Sequence, residues 1–82
     1  MENLVEFTEY LVKELVSEPD LVSVKKFDDD SEFLTIQVLV SEKDMSKVIG
    51  KDGGNINAIR TLIQASAHLN NEKKVKINID AF

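Results

Sequence analysis

The amino-acid sequence predicts an α+β fold with the element order α-β-β-α-α-β. Three observations predict it. Apolar residues recur at helical spacing in residues 4–15 and 56–69; in residues 33–40 Leu34, Ile36, Val38 and Val40 alternate with Phe33, Thr35, Gln37 and Leu39, and residues 74–80 alternate cleanly. All three glycines of the chain lie within residues 50–54, between two helical patterns.

Taking the elements in order, Leu4, Phe7, Thr8, Leu11, Val12 and Leu15 mark an amphipathic helix, with Glu2, Glu6, Glu9 and Lys13 on its polar side. The spacing predicts about four turns. Pro19 disfavours helical geometry in the residue before it, so Ser17-Glu18-Pro19-Asp20 is expected to end the helix. Residues 21–27 and 33–40 are rich in β-branched side chains and are joined by "DDDSE", whose Asp and Ser residues favour turns; a β-hairpin follows. Ser41 or Asp44 is expected to cap a short helix through Met45, Val48 and Ile49. In the longer helix after the glycines, Ile56, Ile59, Ile63 and Ala67 form one stripe, and Ala58, Leu62, Ala65 and Leu69 form a second. Two stripes predict a helix contacted on two sides. Finally, Val75, Ile77 and Ile79 are expected to point inward from a strand, against Lys74, Lys76, Asn78 and Asp80.

A chain of 82 residues predicts one domain over 1–82, near the lower size for a core without staples. Without cysteine there is neither a disulfide scaffold nor a thiolate metal site. The start, "MENLVEF", carries acid where a targeting peptide needs base, and Val38-Leu39-Val40 is far too short to span a bilayer. The expected setting is cytoplasmic, with no membrane partner. The acids Asp28, Asp29, Asp30 and Glu32 lack the ligand spacing and central glycine of a calcium loop, so a solvated hairpin tip is expected there. His68 has no nucleophile or carboxylate arranged around it by any motif. No catalytic residue, metal site or cofactor is predicted.

The net charge of −5 argues against promiscuous nucleic-acid binding, but the charge is divided unevenly. Residues 1–42 carry a net −8 and residues 43–82 a net +3, so the glycine window lies in the basic half.

That window reads "SKVIGKDGGNINAIR", Ser46 to Arg60. It lacks the spacing and the Ser or Thr of a Walker A loop, and no strand leads into it as a dinucleotide fingerprint requires. What remains is a tight turn, Gly50-Lys51-Asp52-Gly53, joining two helices. Glycine tolerates positive φ and lets another backbone approach closely. The turn feeds a helix N-terminus, whose bare amides attract an anion such as a phosphodiester, and Lys51 adds a full charge. A bare GxxG is more often only a helix C-cap and a connector.

The surroundings are more specific. With Val48-Ile49 before the turn and Ile56 and Ile59 after it, "VIGKDGGNINAI" resembles the KH signature V-I-G-x-x-G-x-x-I-x-x-I. The element order matches the type II variant, and the resemblance covers essentially the whole chain. Size, leading acidic helix and the run "MSKVIGKDG…AIRTLI" are similar to the small single-KH proteins of bacteria, the KhpA family. The resemblance implies a type II KH fold, a three-stranded mixed sheet covered on one face by helices. It implies a non-catalytic RNA-binding protein whose GxxG loop clamps about four nucleotides of single-stranded RNA. By that resemblance Gly50, Lys51, Asp52 and Gly53 follow the sugar-phosphate backbone, continued by Gly54 and Asn55. Val48, Ile49 and Ile56 form or buttress an apolar groove for bases, with the strand around Ile36–Val40 as its other wall. Lys47 and Arg60 flank the path.

Two residues depart from a strongly binding pattern. Asp52 places a negative charge beside the RNA path, and Gly54 stands where many relatives carry a base. No aromatic lies between Phe33 and Phe82, so stacking on a ring is not available inside the motif. Weak binding of short segments is expected, with a salt slope of about −0.7 per neutralised phosphate. The charge of −5 and Asp52 also motivate a second expectation, a dimerisation module with a KH fold and weak or lost RNA binding. Further implied by the resemblance are self-association, pairing with a larger jag-type (KhpB-like) KH protein, and a role in post-transcriptional regulation or as an RNA chaperone linked to cell-envelope growth.

Overall fold

A computed structural model describes residues 3–28 and 32–82. The first helix, α1 (Leu4–Lys13), begins where the Asn3 side chain accepts a hydrogen bond from the Val5 N–H at 2.7 Å. It buries Leu4, Thr8 and Val12. The Thr8 hydroxyl reaches no hydrogen-bond partner within the described residues, a cost of about 1–3 kcal/mol. The helix is 10 residues long, shorter than its apolar spacing predicts. Pro19 does not end it; that residue opens a separate 3₁₀ turn, Pro19–Leu21. The helix tightens at its end, where the Leu15 N–H donates to the Val12 carbonyl, and the Ser17 and Glu18 amides beyond it donate to the carboxylate of Asp44, 3.0 and 3.1 Å away.

The strands β1 (Ser23–Phe27) and β2 (Phe33–Val40) pair antiparallel, with Val24 opposite Val38 and Phe27 opposite Thr35. β1 starts two residues later than expected because Leu21 is held in the 3₁₀ turn. The expected solvated tip at Asp29 and Asp30 lies outside the described residues. α2 (Met45–Ile49) and α3 (Gly54–Leu69) then carry the chain across to β3 (Lys74–Ala81), which pairs parallel to β2. The result is a three-stranded mixed sheet in the order β1-β2-β3, with the helices on one face.

Alternation in β2 decides which face that is. Leu34, Ile36, Val38 and Val40 are buried, together with Ile77 of β3, Val48 of α2 and the Ile56/Ile59/Ile63/Ala67 stripe of α3. Truncating Ile36 or Ile63 here would cost about 2–5 kcal/mol. The second α3 stripe is not packed: Leu62 and Leu69 are 48% and 80% exposed, and Ala58 and Ala65 are exposed as well. The expectation of two contacted sides is therefore corrected. Among the described residues, α1 and the sheet cover one side of α3 and nothing covers the other.

Candidate nucleic-acid interface

The path into the glycine turn is set by Asp44. It stands at the N-cap position of α2, yet its side chain caps nothing in that helix, contrary to expectation, and neither does that of Ser41. Its fully buried carboxylate instead accepts hydrogen bonds from the Ser17 N–H, the Ser17 hydroxyl at 2.7 Å, the Glu18 N–H and the Ser41 hydroxyl at 3.0 Å. Burial alone would raise the pKa of this carboxyl, but these donors together hold it well below the usual carboxylate range. Lys47 adds an ion pair at 3.5 Å. The clasp ties the start of α2 to the segment after α1, and so fixes the helix that delivers the turn.

Gly50 ends α2 with φ 78° and ψ 172°, a region essentially reserved for glycine. A Cβ there would also stand 2.8 Å from the Asn55 main-chain nitrogen and 2.7 Å from its side chain, so only glycine fits. Asp52 (φ 55°) and Gly53 (φ 75°) are left-handed too. Asp and Asn tolerate that conformation better than other side chains, which accounts physically for the acid in this loop. Gly54 is ordinary helix with open space around its missing Cβ.

Asn55 closes the turn by donating from Nδ2 to the Lys47 carbonyl at 2.7 Å, holding the end of α2 against the start of α3. No side chain caps α3. Lys51 and Asp52 are exposed, and Lys51 makes no ion pair among the described residues. The Gly50 and Gly53 amides donate to the Ser46 and Gly50 carbonyls and these glycines are half-buried, while Lys51, Asp52 and Gly54 are exposed at the positive end of a helix.

The hydrophobic members of the motif divide between core and surface. Val48 and Ile56 are buried in the core and support the turn from below, while Ile49 is half-buried beside it. Arg60 is exposed and leans on the sheet: one guanidinium nitrogen lies 3.5 Å from the Ile77 carbonyl and the other 3.5 Å from Asn57 Oδ1.

The expected second wall of the groove is corrected. β2, which contains Ile36–Val40, is the central strand and is paired on both edges, with its apolar side chains in the core. The strand with an open edge beside α3 is β3. Val75 donates its N–H to Gln64 Oε1 at 3.0 Å, and the Ile77 carbonyl faces Arg60. This alternation leaves the Ile79 N–H and C=O on the same open edge. A crevice of about 920 Å³ runs between α3 and β3, lined by Arg60, Gln64 and His68 on one side and Lys74, Lys76 and Ile77 on the other. Sequence reading missed Gln64 and the β3 edge. The polar series Arg60, Gln64, His68, spaced four apart on one helix face, was the available signal.

A family model described as KhpA/KhpB, KH domain, matches residues 5–79. Proteins named RNA-binding protein KhpA are similar across most of the chain. That of Streptococcus pneumoniae serotype 4 is 39% identical over 70 residues, 85% of each protein. That of Caldanaerobacter subterraneus subsp. tengcongensis is 39% identical over 74 residues, 90% of this chain and 96% of the relative. Among solved structures, Era in complex with a GTP analogue and nucleotides 1506–1542 of 16S ribosomal RNA superposes with a TM-score of 0.67 at 20% identity. An Aquifex aeolicus Era variant bound to GDP and aluminium fluoride gives 0.66, also at 20% identity. The match takes in 95% of this chain but 29% of each Era chain, and it shows a shared fold.

Proposed function

The chain belongs to the KhpA/KhpB family of KH domains, and from that membership and the open turn we propose that it binds short single-stranded RNA without catalysing any reaction. The observation that supports this most directly is the Gly50–Gly53 main chain. Gly50, Asp52 and Gly53 hold positive φ, no side chain caps the helix that follows, and the exposed Lys51 makes no ion pair among the described residues. Phosphate oxygens would accept from the first amides of α3 and from the Lys51 ammonium. Bases would rest against the half-buried Ile49, with the buried Ile56 supporting it from beneath, and the open main chain of β3 would meet their polar edges. Lys47, Gly54, Asn55 and Arg60 would border the path, Asn55 by bracing the turn rather than by contact. Asp52 opposes the phosphates, which keeps the affinity low.

Lys51→Asp tests this reading by anisotropy with a fluorescent RNA oligomer. The substitution is expected to weaken binding about tenfold or more and to flatten the salt slope by about 0.7. It should leave the circular dichroism spectrum unchanged. Unaltered binding would remove the turn from the interface.

A second reading concerns assembly, and the unpacked α3 stripe favours it. Ala58, Leu62, Ala65 and Leu69 recur at helical spacing on a solvent-facing side, an arrangement that suits packing against another helix. A homodimer, or a heteromer with a larger KhpB-like KH protein, would bury them. Sedimentation of Leu62→Glu beside the wild type tests it: a dimer that becomes monomeric supports this use, and a wild type that is monomeric at high concentration removes it. A place in post-transcriptional control or RNA chaperoning tied to envelope growth, and a cytoplasmic setting, complete the proposal on family resemblance.

A further inference from the structure

The sheet has a second face, and its composition is unlike the rest of the molecule. Residues in register share a face, so Phe33, Thr35, Gln37 and Leu39 of β2 lie opposite the helices. They remain only partly buried although β2 is the central strand, so no described element covers them. The register places Lys25 and Asn78 beside Gln37, Phe27 and Lys76 beside Thr35, and Lys74 beside Phe33. Phe27 is 53% exposed and is the diagonal neighbour of Phe33, at a cross-strand separation of about 7–8 Å. Lys76 holds its ammonium 4.2 Å from the centre of the Phe33 ring.

In a protein of net charge −5, the described residues of this face gather three lysines against Asp80 at its far corner. At its rim Asp28 is engaged with Lys73 at 2.6 Å, and Glu32 is exposed. Exposed lysines around the exposed Phe27 ring suit a polyanion that also carries flat bases. The face is continuous with the crevice already described, because Lys74 and Lys76 line both, separated only by the single edge strand β3.

We propose that the uncovered face of the sheet is a second contact surface for single-stranded RNA, taking nucleotides beyond those held at the glycine turn as the strand passes over the β3 edge. Phe27 stacks with a base, Phe33 holds Lys76 in place, and Lys25, Lys74 and Lys76 meet phosphates. This inference rests on the RNA-binding reading above.

The test uses the whole protein with oligouridylates of about 5 and 15 nucleotides, the shorter matching what a GxxG groove holds. The double variant Lys25→Glu/Phe27→Ala alters only exposed side chains. It is expected to lose about fivefold or more in affinity for the 15-mer and nothing for the 5-mer. Its 15-mer salt slope should fall by about 0.7, and ultraviolet crosslinks of the 15-mer to wild type should fall on Phe27. Unchanged 15-mer affinity would overturn the inference, return this face to an acidic protein partner, and leave the turn as the RNA site. Equal losses on both lengths would also overturn it, because Lys25 and Phe27 would then be acting on the groove. If neither oligomer binds the wild type, the RNA-binding reading itself fails.

Discussion

Two turns six residues apart in sequence use polar groups in opposite ways. Around Asp44, four donors converge on one buried carboxylate. Around Gly50–Gly53, the Gly50 and Gly53 amides donate only to main-chain carbonyls, no side chain caps the helix that follows, and Lys51 is exposed without an ion pair among the described residues. A satisfied cluster has nothing left to offer a ligand and serves to hold the chain in place. An exposed lysine beside an uncapped helix start costs little while water solvates it, and it gains when an anion arrives. The first turn aims α2; the second receives what α2 presents. Their difference is the physical basis for proposing an RNA contact at one and not at the other.

The strongest attempt to break that comparison is Gly50→Ala. At φ 78° and ψ 172°, with the Asn55 amide nitrogen 2.8 Å from the new Cβ, strain and clash add together. A loss of about 3 kcal/mol or more is expected in urea unfolding, accompanied by loss of RNA binding from whatever folds. Tolerance of alanine would mean that the turn is not held in the geometry described.

Asp44→Asn attacks the other turn. Because the folded-state pKa of Asp44 is depressed, its stabilisation is fully present above the unfolded value of about 3.9 and is lost as pH falls toward the folded value. Thermal scans of the wild type should therefore show the melting temperature dropping below about pH 4. The variant should melt lower at pH 7 and lose much of that acid slope. At low temperature its RNA affinity should remain, since the carboxylate supports the loop without facing it. An acid slope identical in both proteins would show that Asp44 is not the titrating group.

The same contrast explains what could be read without coordinates. The β2 alternation and the Ile56/Ile59/Ile63/Ala67 stripe were legible because periodic burial is written locally, one residue type per position. The glycines were legible because few other residues meet the backbone demand at Gly50. Asp44 was misread as a helix cap because its donors Ser17 and Glu18 lie 27 and 26 residues away, and nothing local announces them. Which strand lines the groove depends on strand order, and alternation alone does not encode order: β2 and β3 share the same pattern, and only pairing shows which has a free edge.

Asp52→Asn refines the comparison with the smallest effect. Position 52 needs a left-handed backbone, and asparagine accepts that conformation as readily as aspartate does, so the fold should be untouched. What changes is one negative charge at an exposed site along the proposed phosphate path. Removing a screened repulsion of this kind is worth about 0.2–1 kcal/mol, or about a 1.5- to fivefold gain in affinity at low salt, shrinking as salt is raised. Asp52→Ala serves as the control: it removes the same charge but places an ordinary side chain at φ 55°, at a cost of about 1 kcal/mol in stability. If both variants bind RNA more tightly and only the alanine variant unfolds earlier, charge and conformation at this residue separate cleanly. The loop's acid is then explained by its backbone, at the expense of its ligand.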